Sequence, residues 1–121
     1  MTGAAPHALA HRRVLVTGHT GFKGSWLTLL LHRLGAHVTG YALAPPTRPS
    51  NFACSSVEVL LAAHWQADIR DGLNFQRALC QADPDIVFHL AAQPIVRTGL
   101  ALPRATFEAN ILGTVSVLEA V

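Results

Sequence analysis

The sequence predicts an α/β fold, a doubly wound parallel sheet, and three observations carry that prediction. Short β-branched or apolar runs alternate with helical patterns along the whole chain, the order that strand–helix–strand crossovers impose. The run Asp85-Ile86-Val87-Phe88-His89-Leu90 is apolar on both faces, as an inner parallel strand requires. Gly18, Gly21 and Gly24 fall at equal spacing between the first apolar run and the first helical pattern. A strand, a glycine turn and a helix in that order form a cradle into which backbone N–H groups can project.

The composition agrees. The chain has 121 residues, enough for one domain with a core, and half of them are hydrophobic while only 13% are charged. This argues against disorder. The net charge is +2 and the basic residues are scattered, with no basic stripe or aromatic platform, so polynucleotide binding is unsupported. A mild positive bias suits a small phosphate-bearing ligand. The two cysteines, Cys54 and Cys80, are not in a C-x-x-C pair and read as free thiols of a reducing compartment. His7 and His11 are four apart, a spacing that can bind metal on a helix. They lie in an Ala/Pro/Gly-rich leader without a carboxylate or thiol, so an unliganded tail is expected and no metal site. The apolar stretch from Trp26 to Leu31 is far short of the ~20 residues a membrane span needs. A cytoplasmic protein is expected, without membrane or nucleic-acid partners.

Each element can be justified in order. Residues 1–11 read as a flexible tail, and residues 12–121 as one domain. The first strand spans about 12–17. A helix follows over about 21–34, with Phe22, Trp26, Leu27, Leu30, Leu31 and Leu34 as its apolar face, Thr20 as its candidate N-cap and Gly35 as the glycine that ends it. The second strand covers about 37–42. Pro45, Pro46, Pro49, Ser50 and Asn51 mark a loop. A short helix over about 56–63 leads to a third strand at Trp65–Asp68. Asp71 caps a helix over about 72–82, which Asp83-Pro84 stops. After the strand at 85–90 comes a loop of small residues, Ala91-Ala92-Gln93-Pro94, and a last helix from about 104. A sheet of order 3-2-1-4 brings the glycine turn beside the Leu90–Pro94 loop at the switch point, where ligands bind.

The candidate cofactor-binding residues follow from that placement. Gly18, Gly21 and Gly24, in the form G-x-x-G-x-x-G, are a variant of the dinucleotide fingerprint. Phe22 and Lys23 open the helix, where their amides can face a pyrophosphate, although Phe22 is expected in the core. Lys23 is either a phosphate partner or a solvated cation at a helix start, where the dipole disfavours it. His19 either bonds a phosphate or is a plain turn residue. Asp68, at the end of a strand, either faces the crevice or bonds loop amides or caps the next helix. Leu90, Ala91, Ala92 and Gln93 line the crevice or serve close packing. His89 reads as a satisfied core histidine, Arg97 as an exposed arginine and Asn110 as a buried hydrogen-bonding residue.

The segments Thr17-Gly18-His19-Thr20-Gly21-Phe22-Lys23-Gly24-Ser25-Trp26-Leu27, Asp68-Ile69-Arg70-Asp71, Val87-Phe88-His89-Leu90-Ala91-Ala92-Gln93-Pro94 and Asn110-x-x-Gly113-Thr114 resemble the extended short-chain dehydrogenase/reductases. His19, Lys23 and Gln93-Pro94 look most like the sugar-nucleotide 4,6-dehydratase branch that acts on CDP-glucose. The resemblance covers nearly all of residues 13–121. It implies a Rossmann-type NAD(P)-binding domain, here truncated after about four strands, with NAD as cofactor and Thr20 within the cradle. It also implies a nucleotide-sugar substrate, with a homodimer as an open possibility. Asp68 would then accept from the adenine amino group and Ile69 would pack on the ring. The implied reaction takes a hydride from C4 of the sugar, eliminates water across C5 and C6, and returns the hydride to C6.

The chain departs from that pattern in three places. No acid follows the second strand, which runs into Ala42-Leu43-Ala44-Pro45, so the ribose hook expected roughly 20 residues beyond the glycines is missing. Ala109 precedes Asn110 where the family usually has Thr. The catalytic Tyr-x-x-x-Lys pair is absent, since the only tyrosine is Tyr41. The expectation is a cofactor half-site with no catalytic residue of its own.

Overall fold

The structure is a computed structural model in which residues 8–121 are described. His7 lies outside the described residues. Four strands, β1 (Arg13–Thr17), β2 (His37–Ala42), β3 (Ala63–Gln66) and β4 (Ile86–His89), form one sheet of order β3-β2-β1-β4. Every pairing is parallel: Val14 stands opposite Val38 on one side and Ile86 on the other. This is the order the strand pattern predicts. β4 is an edge strand here, half-buried throughout.

The alternation of side chains along β1 and β2 divides the core between the two faces. On one face Val14, Val16 and Val38 pack with Leu31 and Ala36. On the other, Leu15 and Tyr41 pack with Ile69, Phe75, Ala78 and Val117. The Tyr41 ring meets Phe75 edge-on at 5.1 Å, and its hydroxyl donates to the Asp68 carbonyl at 3.0 Å. Burial, the largest cause, pushes the Tyr41 phenol up to about 12.

α1 (Phe22–Arg33) ends as predicted. Gly35 has φ +85°, its amide donates to the His32 carbonyl, and the Ala36 amide donates to the Leu31 carbonyl, a Schellman closure. Its buried face differs from the expectation. Gly24, Ser25, Thr28 and Leu31 face inward, while Phe22, Trp26 and Leu30 are 73%, 53% and 53% exposed. The reason is distance. A Cβ on Gly24 would fall 2.0 Å from the Gly18 carbonyl oxygen, so only small residues fit against the turn. Ser25 and Thr28 satisfy their buried hydroxyls on the Phe22 and Gly24 carbonyls of their own helix. Thr20 is not the N-cap: Gly21 holds that position, and the Thr20 hydroxyl donates to the Leu43 carbonyl at 2.8 Å.

Further corrections concern short elements. Residues 8–11 form a turn in which the His11 amide donates to the Gly35 carbonyl and Leu9 packs against the core. The proline loop closes with a short helix, α2 (Asn51–Cys54), capped by the Ser50 hydroxyl accepting from the Ala53 amide. The helix expected over 56–63 shrinks to one tight turn at Val57–Leu60, because Ala63 already pairs with β2. For the same reason β3 ends at Gln66, opposite Ala42, and Asp68 lies beyond it. α3 (Gly72–Ala82) starts where expected, with Asp71 accepting from the Asn74 amide at 3.1 Å. The segment after β4 contains a helix, α4 (Val96–Ala101). The last helix runs through α5 (Pro103–Phe107), one wide turn of π type at Glu108–Leu112, and α6 (Gly113–Ala120).

Candidate nucleotide-binding site

The glycine turn joins β1 to α1, and its three glycines have three different surroundings. Gly18 has φ +76°, and a Cβ there would lie 2.8 Å from the Ala91 nitrogen and the Leu90 carbonyl carbon. It is glycine because the turn is left-handed and because the β4 loop presses against it. Gly24 is glycine for packing of α1 on the turn. Among the described residues a Cβ on Gly21 would meet only the Gly18 oxygen, at 3.3 Å. Its other side is open, so this is where a ligand's phosphate can approach the backbone. No side chain among the described residues caps α1, and the Phe22, Lys23 and Gly24 amides of its first turn precede the first helical bond, Ser25 to Gly21. An open, uncapped helix N-terminus beside an unobstructed glycine fits a pyrophosphate. Lys23 and Phe22 are both exposed at this end, so Phe22 is not a core residue.

His19 turns the other way. Its side chain is fully buried, with Nε2 2.8 Å from His64 Nδ1 and the ring edge-on to Phe52 at 5.5 Å. The slot exists because residue 40 is glycine: a Cβ there would lie 2.4 Å from His19 Cδ2. His19 Nδ1 has no hydrogen-bond partner among the described residues. Burial first, then the neighbouring His64, pushes the His19 imidazole down to about 4, against a weaker opposing effect from the Tyr41 backbone. His19 is therefore neutral near pH 7, and only its backbone is left to face a ligand.

The opposite wall is the β4 loop. The Leu90 and Ala91 amides both donate to the Thr17 hydroxyl, at 3.0 and 3.1 Å. Gln93 is bound at both backbone atoms by Asn110, whose Oδ1 accepts from the Gln93 amide at 2.7 Å and whose Nδ2 donates to its carbonyl at 3.1 Å. The Gln93 side chain bonds the Ile95 amide, the Ile95 carbonyl and the Thr106 hydroxyl. Its polar atoms thus hold the loop in shape. Ala92 is exposed on this loop. His89 has both ring nitrogens paired, to Thr17 and Thr114, and burial lowers its pKa.

Asp68 and Ile69 follow the C-terminal end of β3, the outer strand beside β2. The Asp68 carboxylate is held by the Arg70 guanidinium and amide, and hydrogen bonding to Arg70 keeps it below the usual carboxylate range. Arg70 also pairs with Glu108 at 3.6 Å. Ile69 is buried in the core, and Gly113 is glycine because α6 crosses it there: a Cβ would fall 2.8 Å from Ile69 Cγ2. Arg97 and Arg48 are exposed. The glycine turn and the β4 loop lie together, as the strand order predicts. Thr17, Gly40, Phe52, His64 and Thr114 support the site through contacts that no local sequence pattern signals. No cluster among the described residues has the ligands for a metal ion.

A parallel sheet of order 3-2-1-4 with a glycine turn facing the loop of strand 4 defines a Rossmann-type α/β unit. Known proteins agree. Residues 15–121 match the family model described as GDP-mannose 4,6 dehydratase, and the chain belongs to that family. It is 49% identical over 110 residues to the CDP-glucose 4,6-dehydratase of Salmonella typhimurium, covering 91% of this chain and 30% of that protein. It is 30% identical over 120 residues to the GDP-mannose 4,6-dehydratase of Vibrio cholerae, covering 91% and 31%. Among solved structures it resembles the UDP-glucose-4-epimerase of Stenotrophomonas maltophila with bound NAD and formylated UDP-arabinopyranose. That match has a TM-score of 0.75 and 27% identity over 91% of this chain and 33% of that one. The chain spans about a third of the length of the relatives it matches.

Proposed function

We propose that this chain is the NAD-binding portion of a sugar-nucleotide 4,6-dehydratase, a lyase of nucleotide-sugar metabolism acting on CDP-glucose. The observation that carries the reading is the pairing of an α1 N-terminus without a side-chain cap with the open side of Gly21, in the same turn whose Gly18 is pressed against Leu90 and Ala91. The cofactor's pyrophosphate would lie on the amides of Phe22, Lys23 and Gly24, with the Lys23 ammonium beside it. When bound, NAD supplies the hydride acceptor. Gly18, His19, Thr20 and Gly21 shape the turn. Leu90, Ala91, Ala92 and Gln93 form the wall toward the ribose, and Asp68 and Ile69 are assigned to the adenine side. Support for CDP-glucose over other sugar nucleotides is the 49% identity to the Salmonella enzyme, against 27% to the epimerase.

Catalysis needs an acid–base pair that this chain does not contain, so the chain alone should turn over no CDP-glucose. Measurable turnover by the purified chain would refute that. The half-exposed edge of β4 should also make it associate at high concentration, and a monodisperse monomer by size exclusion would count against it. The cofactor reading is tested by calorimetric titration with NAD. Wild type should bind, and Gly21→Val, which fills the open side, should lose binding while keeping its thermal transition. Binding unaffected by Gly21→Val would remove the cradle from the proposal.

A further inference from the structure

The proton positions around His89 can be fixed by counting. The Thr17 hydroxyl oxygen accepts from the Ala91 amide at 3.1 Å and shares the Leu90 amide, 3.0 Å away, with the Thr17 carbonyl at 3.1 Å. Among the described residues the acceptor for its own hydrogen is its third neighbour, His89 Nδ1, at 2.7 Å. Nδ1 must be an acceptor, so a neutral ring carries its proton on Nε2. Nε2–H then donates to the Thr114 hydroxyl at 3.0 Å, and Thr114 passes its own hydrogen to the Asn110 carbonyl at 2.7 Å. From Thr17 through His89 and Thr114 to the Asn110 carbonyl, all hydrogens run the same way.

The path joins two clamps. Thr17 holds the start of the β4 loop through Leu90 and Ala91. Asn110, in the wide turn of the last helix, holds Gln93 by both backbone atoms. His89 and Thr114 connect them across the end of the sheet. The geometry points to His89 as a positioning residue, a neutral imidazole protonated on Nε2 that couples Thr17 to the Asn110 turn and so fixes the Leu90–Gln93 wall of the nucleotide crevice. That role rests on the cofactor reading of the crevice; the hydrogen-bond chain itself does not. The chain touches the wall and not the cofactor, so it acts through the backbone of Leu90, Ala91 and Gln93.

The test has three arms. Nitrogen-15 NMR of the wild-type chain at neutral pH should show His89 Nδ1 as the unprotonated and Nε2 as the protonated nitrogen. A ring protonated on Nδ1, or charged at neutral pH, would overturn the assignment. Thr17→Val should release the tautomer preference, while Thr114→Val should keep it, a difference that a purely packing role would not produce. Thr114→Val should also speed amide exchange at Leu90 and Ala91 by about tenfold, the cost of one buried hydrogen bond. Thr114→Ser should restore the wild-type rate. Equal exchange in all three proteins would sink the coupling, whether or not the chain binds NAD. A wild-type chain that fails to bind NAD overturns the cofactor reading alone, since tautomer and exchange are read without ligand. A wild-type chain that binds NAD should bind it about tenfold more weakly as Thr114→Val. Undiminished binding would overturn the claim that the wall serves the ligand.

Discussion

Gly24→Ala should destabilise the chain although helix propensity favours it. An alanine in a helix interior gains about 1 kcal/mol over glycine. At Gly24 the new Cβ would stand 2.0 Å from the Gly18 carbonyl oxygen, 2.7 Å from its carbon and 2.8 Å from His19 Cα. Since real Cβ contacts essentially never fall under 3.0 Å, α1 must retreat from the turn by about 1 Å. All three atoms are backbone, so no side-chain rotation can relieve the contact. Overpacking of this kind costs about 1–3 kcal/mol, and a rigid backbone neighbour puts it at the upper end. The net loss is about 2 kcal/mol, which lowers Tm by about 6–12 °C in a domain of this size. Thermal unfolding followed by circular dichroism measures it. Gly72→Ala is the control. It sits at the first position of α3, where the Cβ would meet only the Ser116 hydroxyl at 3.3 Å and carbon at 3.6 Å, and that hydroxyl can rotate. Its Tm should hold or rise. A Gly24→Ala protein as stable as wild type would show that helix and turn are not in contact, and the three-glycine account would fall with it.

Two further predictions concern His19. Its folded pKa of about 4 lies below the ordinary 6.5, so the unfolded chain takes up a proton that the folded one refuses. Its contribution is intact above pH 6.5 and lost as pH falls toward 4, by about 3 kcal/mol in all. His89, also lowered by burial, acts in the same direction. Asp68 and Asp85 are held below the carboxylate range, so their stabilisation is lost at more acid pH. Urea titrations from neutral to mildly acid pH should therefore show a falling midpoint, and His19→Phe should flatten the curve; an equally steep curve in that variant would place the titration elsewhere. Gly40→Ala should cost about 2–4 kcal/mol, because a Cβ 2.4 Å from His19 Cδ2 evicts the buried ring. Combining it with His19→Ala should recover part of that loss in a double-mutant cycle, and strict additivity would mean the two residues do not touch.

The sheet and its switch point were legible because they follow from periodicity. Runs such as Val14-Leu15-Val16 and Ile86-Val87-Phe88 admit few other readings, and parallel crossovers fix the order. The end of α1 and the cap of α3 were legible from Gly35 and Asp71, whose roles are local. What could not be read was which face of α1 is buried. Its large apolar residues point to solvent because the helix is drawn in by a contact with Gly18, and no helical period encodes that approach. The orientation of His19 was hidden for a related reason. Its slot depends on Gly40, Phe52 and His64, which come together only after β2 and β3 pair. The Thr17–His89–Thr114 path likewise links residues that share no local pattern. Ser50, by contrast, carried a readable signal for α2, a capping residue ahead of a short apolar run.

The contact between Gly18 and the β4 loop also sets an order of events during synthesis. β1 leaves the ribosome first, yet its amide partner Ala91 follows 74 residues behind Thr17. At about 5–20 residues per second that is a wait of about 4–15 s. During it the glycine turn has neither its wall nor the second neighbour of its strand. The part of the chain made earliest is finished late, and a nascent β1 with one open side is the segment most in need of shelter until strand 4 arrives.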